Sequence, residues 1–144
     1  MNSYERSFLG DIVIVKHLVF KNNNTGKYEM DHAYHTGRPC IIIYTDNEYD
    51  YLLALTKGGK CINNYLYDYF VIDNKEDILF VDDKSVDFIS YANLRNIYKI
   101  PISFRKRKSK VKYNVYKDLL EEVKRKYRME EIDTIVKKYS LLKR

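Results

Sequence analysis

The chain has 144 residues, an apolar fraction of 45% and a formal net charge of +6. That is enough for one domain with a real core, and no apolar run approaches the ~20 residues of a membrane-spanning helix. The start, Met-Asn-Ser-Tyr-Glu-Arg, has no secretory pattern, and Cys40 and Cys61 without Cys-x-x-Cys spacing read as free thiols in a reducing cytoplasm.

The charge is unevenly placed. Residues 1–104 carry 11 Lys/Arg against 14 Asp/Glu, while residues 105–144 carry 15 against 6. A net −3 is thus followed by a net +9. A local field of one sign suits nucleic acid or an anionic surface; a solvated helical tail is the bland alternative. The 15 tyrosines, with no Trp, suit half-buried strand positions where a ring packs and its hydroxyl stays wet.

In chain order, a short lead-in ends at Gly10-Asp11. Ile12 to Phe20 is rich in β-branched residues and predicts a central strand. Lys21 to Thr36 is polar and long, and predicts a loop. Cys40 to Tyr44 predicts a buried strand, Asp46-Asn47-Glu48 a turn, and Tyr49 to Leu55 a returning strand. Gly58-Gly59 lets backbone approach a ligand. It is not a phosphate-binding Walker loop, because the flanking pattern is missing. Tyr65 to Ile72, Ile78 to Val81 and Val86 to Ile89 predict further extended segments, with a turn at Asp82-Asp83-Lys84. Tyr91 to Ile97 predicts a short helix or turn, and Pro101 marks a strand end. Six of the eight residues from Arg105 to Lys112 are basic. After them Tyr116, Leu119, Leu120, Val123 and Tyr127 form a helical stripe, repeated by Ile132, Ile135, Val136, Tyr139 and Leu142. The expected whole is an α+β single domain, 1–144. A β-rich body spans 1–104, and a basic helical extension spans 105–144.

The start of one hairpin strand lies beside the end of its partner. Arg38, His35, Thr56 and Lys57 therefore share one sheet edge in this reading. All four can donate to phosphate. RNA carries its own nucleophile, the 2′-hydroxyl, so an enzyme that cleaves it needs alignment, oxyanion donors and proton transfer. Arg38 suits the phosphate clamp, since its planar fork matches phosphate bidentately. His35 titrates near neutrality and suits acid or base work. Thr56 suits orienting the attacking group, and Lys57 or Lys60 the developing charge. Each also has a plain structural reading: a surface ion pair, a loop histidine, a strand-end hydroxyl, a basic turn. His32 and His35 lack further ligands at metal spacing, so neither a metal nor a cofactor is expected. Lys16, His17, His32 and Lys60 are further candidate RNA contacts, together with Arg105, Lys106, Arg107, Lys108, Lys110 and Lys112 of the basic segment.

Gly10-Asp11-Ile12-Val13, then Gly37-Arg38-Pro39-Cys40-Ile41-Ile42-Ile43, then Leu53-Ala54-Leu55-Thr56, then Asn93-Leu94-Arg95-Asn96-Ile97-Tyr98-Lys99-Ile100 resemble the MazF/PemK family of endoribonuclease toxins in order and spacing. The resemblance covers about residues 10–100. It implies an SH3-type β-barrel and metal-independent RNA cleavage leaving a 2′,3′-cyclic phosphate and a 5′-hydroxyl. Its catalytic Arg and Thr fall on Arg38 and Thr56. The longer chain and basic extension resemble the type III group of ToxN, AbiQ, TenpN and CptN toxins. Those are inhibited by a repeat RNA pseudoknot that they process, in closed protein–RNA rings. ToxN-like enzymes carry Thr-Ser where this chain has Thr56-Lys57. The alternatives are a dimeric MazF/PemK toxin with a protein antitoxin, and a non-catalytic RNA-binding module.

Overall fold

The computed structural model describes residues 3–15, 19–21, 25, 27–30, 38–57, 68–73, 75–81, 89–95, 97–102 and 107–126. One helical turn, α1 (Ser3–Arg6), leads into β1 (Asp11–Val15). A separate hairpin pairs β2 (Val19–Lys21) with β3 (Tyr28–Met30). Then come β4 (Arg38–Thr45), β5 (Tyr49–Lys57), β6 (Tyr69–Asp73), β7 (Ile78–Val81), β8 (Ile89–Asn93), β9 (Tyr98–Pro101), β10 (Arg107–Val111) and α2 (Tyr113–Lys126).

Eight antiparallel strands form one sheet along the path β6-β8-β5-β4-β1-β10-β7, with β9 also on β5. The long β5 serves two partners on one side: Leu55–Lys57 pairs with β8, and Tyr49–Leu52 with β9. The two ends of the path, β6 and β7, are consecutive in the chain. A tight turn joins them, with the amides of Glu76 and Asp77 donating to the Asp73 carbonyl and the Asp73 amide donating to the Asp77 carboxylate. The sheet is thereby a nearly closed barrel carrying one short helix.

The pleat sorts side chains onto two buried faces. Ile12, Ile41, Ile43, Leu53, Leu55 and Ala92 face the side where α2 lays Val115, Tyr116, Leu119 and Val123. Val13, Val15, Cys40, Ile42, Leu52, Ala54, Tyr98 and Ile100 form the other. Covering on both faces explains why Cys40–Ile43 is unbroken by polar residues. Each buried Ile or Leu there contributes roughly 1.5–3 kcal/mol. The register between β4 and β5 shifts between Ile42 and Tyr44, so Ile43 is an extra residue. Its carbonyl accepts the buried Tyr116 hydroxyl at 2.9 Å, pinning α2 to the bulge.

The hairpin turn is built by Asp46, whose carboxylate accepts from the amides of Glu48 and Tyr49 and from the Tyr51 hydroxyl. Partial burial by itself raises the Asp46 carboxyl. The two amides, the Tyr51 hydroxyl and the Lys99 charge outweigh this and hold it below the usual carboxylate range. A depressed folded pKa adds stability above the unfolded value, and that stability is lost as pH falls through the folded one. Asp46→Asn is therefore expected to be less stable than wild type at neutral pH. The difference should close in acid, as read by urea unfolding at both.

The N-terminal segment is tied to β10. Lys110 is 0% exposed and its ammonium donates to the carbonyls of Ser7 (3.1 Å) and Leu9 (2.5 Å) and to the Asp11 carboxylate (3.2 Å). It also lies 4.1 Å from the centroid of the Tyr4 ring. The Tyr4 hydroxyl donates to the Val111 carbonyl at 2.6 Å. Burial, then the neighbouring Tyr116, Asp11 and Tyr113, push Tyr4 well above the usual phenol range. Gly10 sits at φ +77°, and a Cβ there meets the Tyr4 hydroxyl and lies 3.2 Å from Val111 Cγ2. Because Tyr4 is held at both its ring and its hydroxyl, it has no easy retreat. Gly10→Ala is expected to cost about 1–3 kcal/mol in chemical unfolding, from the left-handed backbone and displacement of Tyr4.

Four expectations change. Ile12 to Phe20 is not one strand: β1 ends at Val15, and Val19 begins a strand of the separate hairpin. The predicted loop from Lys21 contains β3. Tyr91 lies in a strand, not a helix or turn; the turn begins at Leu94, whose amide donates to the Asp68 carbonyl. The boundary at residue 104 also fails, because Arg107–Val111 is a strand between β1 and β7. Only α2 lies beyond the sheet among the described residues. The second predicted stripe, beginning at Ile132, lies outside them.

Candidate active site

Hairpin pairing fixes the site. Cys40 stands opposite Ala54, Ile41 opposite Leu53 and Ile42 opposite Leu52. Continued two places beyond Cys40 and Ala54, this register sets Arg38 opposite Thr56. On its other side Arg38 is opposite Val15. Thr56 is opposite Tyr91, and Tyr91 is opposite Val71. Directly paired residues share a face. The row Val15, Arg38, Thr56, Tyr91, Val71 thus runs across five neighbouring strands on the face of Cys40 and Ala54.

The row changes character along its length. Val15 is buried; Arg38, Thr56 and Tyr91 are half-buried; Val71 is 51% exposed. A guanidinium, a hydroxyl, a phenol ring and an apolar side chain follow one another at roughly 4.8 Å intervals, the spacing of strands in a sheet. Two places along each strand from Arg38 and Thr56, on the same face, lie Cys40 and Ala54, both 0% exposed. The two candidate side chains are therefore carried on strands anchored in the core.

Lys57 lies on β5 opposite Ser90, but its side chain lies outside the described ones. His35, His32, Lys60, Lys16, His17, Arg105 and Lys106 lie outside the described residues. Arg107 and Lys108 lie on β10, with side chains outside the described ones. Lys110 is a correction: its charge is buried against Asp11 and it cannot meet RNA at the surface. Lys112 is exposed, just past β10. It follows the strand end that pairs with Asp11, whereas Arg38 pairs with Val15. These ends of β1 are roughly 13 Å apart at the rise of a strand.

Tyr91 escaped the sequence reading. Its signal was Ser90 and Ala92, two small residues at a spacing of two, both now buried on the opposite face. Among the described residues no group of three or more His, Cys, Asp or Glu is placed to hold a metal ion. No helix among them is long and apolar enough to cross a membrane. Comparison with protein-family models, with curated proteins and with solved structures finds no match for this chain, so its likeness to any family is carried by the residues alone.

Proposed function

We propose that this protein is a metal-independent endoribonuclease with a MazF/PemK-like barrel, acting as the toxin of a type III toxin–antitoxin pair. The reading is carried by the β4–β5 register, which pairs buried Cys40 with buried Ala54 and, continued two places, brings Arg38 and Thr56 together on one face. In the proposed reaction the 2′-hydroxyl oxygen of single-stranded RNA bonds to the adjacent phosphorus as the bond to the 5′ oxygen breaks. The 2′ proton passes to a base and the 5′ oxygen receives one, leaving a 2′,3′-cyclic phosphate and a 5′-hydroxyl. The Arg38 fork donates to the non-bridging oxygens as their charge grows. The Thr56 hydroxyl orients the attacking group. His35 exchanges protons, and Lys57 adds positive charge.

The charge map supports an RNA antidote. Residues 105–144 keep a large basic excess after Lys110 is set aside with Asp11. Contacts to phosphate from such a segment are independent of sequence and suit a folded repeat RNA in a cytoplasmic protein–RNA ring. The test has two parts. Single-stranded RNA incubated with the protein and a chelator should yield cyclic-phosphate ends; no cleavage, or cleavage abolished by the chelator, overturns the reading. Protein purified from its native locus should carry a short RNA of uniform length. A small co-purifying protein in its place overturns the RNA antidote and leaves the cleavage chemistry standing.

A further inference from the structure

The row that brings Arg38 to Thr56 does not stop there. Tyr91 is directly opposite Thr56 on the next strand, and Val71 opposite Tyr91 on the one after. We infer that Tyr91 is the base-stacking residue of this site, receiving the unpaired nucleobase beside the phosphate held by Arg38. The inference rests on the endoribonuclease reading and names the part of the substrate that reading leaves unassigned.

Three observations carry it. The order of groups along the row, cation, hydroxyl, ring, apolar, repeats the order phosphate, sugar, base within one nucleotide. Thr56 and Tyr91 are direct neighbours, and Arg38 lies two strands from Tyr91, roughly 10 Å in all. A long guanidinium side chain and a phenol ring can both lean over that span toward one nucleotide. Exposure also rises in the same direction, from buried Val15 to Val71 at 51%. The apolar end is therefore where a base can arrive from solvent and leave water on binding. A nucleobase has a π-face whatever its identity, so a ring here gives affinity without dictating sequence.

The strand that carries the ring is held on both sides. It is paired with β5 and with β6, and the ring's neighbours Ser90 and Ala92 are buried beneath it. A strand fixed on both sides loses little backbone freedom when a base lands on its side chain.

The test uses full-length protein and a fluorescent single-stranded RNA made non-cleavable by 2′-O-methylation, read by anisotropy. Tyr91→Leu keeps apolar bulk and removes the ring; Tyr91→Phe restores it. Tyr91→Leu is expected to weaken binding on the order of ten-fold, and Tyr91→Phe to recover most of that. Moving a single abasic site along the RNA adds a second axis. At one position, next to the scissile phosphate, the abasic loss and the Tyr91→Leu loss should not add, because both remove the same stack. A purely structural Tyr91 gives additive losses at every position. Equal binding by wild type and Tyr91→Leu, with Arg38→Ala still weakened, overturns the inference and spares the nuclease reading. No binding by wild type overturns both. Thermal unfolding of each variant shows whether it is folded, and Tyr91→Phe tests the inference alone should Tyr91→Leu unfold.

Discussion

Lys110→Ala is expected to lower the unfolding free energy by about 3–5 kcal/mol, the usual cost of removing one member of a buried ion pair. The reason is local. Lys110 and Asp11 are each 0% exposed, so the variant strands a carboxylate away from water with its cation gone. The carbonyls of Ser7 and Leu9 lose the same donor, and Tyr4 loses the charge beneath its ring. One deletion thus loosens α1, the Gly10 turn and the β1–β10 seam together. The paired substitution Asp11→Ala with Lys110→Met should be less damaging than the sum of the two singles, since it leaves no lone charge. Denaturant unfolding of wild type, Lys110→Ala, Asp11→Ala, Lys110→Met and the paired variant measures this. RNA affinity of whatever folds should barely change, because the ammonium is inside. A variant that unfolds like wild type but loses RNA binding would place Lys110 on the surface and refute the buried seam.

The same residue shows where the sequence was opaque. Six basic residues in eight read as a solvated, phosphate-seeking segment, and local composition supports nothing else. Their strand character depends on β1 and β7, the first nearly a hundred positions away in the chain and the second about thirty. Lys110 is neutralised by Asp11, a partner no local window contains. The β4–β5 hairpin was legible for the opposite reason. Its strands are apolar on both faces, and its turn is set by Asp46 within a few residues. Local rules brought Arg38 to the end of its partner strand, but the turn's register alone would set it opposite Lys57; the extra residue at Ile43 moves it to Thr56. Tyr91 needed β8 to find β5 across more than thirty residues, and its alternation with Ser90 and Ala92 was too short to outweigh a helical reading. Gly10 was visible as a motif. Its cause, the Tyr4 ring pressed against it, was not.

Arg38→Ala is expected to reduce the rate constant for RNA cleavage about 10²–10³-fold, the range seen when one donor to a developing oxyanion is removed. Arg38→Lys should recover only part of this. An ammonium keeps the charge but not the two parallel N–H groups that match a phosphate. Thr56→Ala should also fall mainly in rate and little in KM, because an orienting hydroxyl acts on the attacking group, not on the bulk of the RNA. Folding should survive all three changes. Both residues are only half-buried, and the apolar positions that hold the strand ends, Val15, Cys40 and Ala54, are untouched. The double variant is the informative one. Side chains on paired strands that act on one phosphate form a unit, so the double loss should fall well short of the product of the single losses. Losses that multiply cleanly would mean that Arg38 and Thr56 act at separate points, and the cross-strand row would lose its claim to be one site. Cleavage at the wild-type rate by every variant would move the chemistry elsewhere on the barrel while leaving the fold, the bulge at Ile43 and the Lys110 seam as they are.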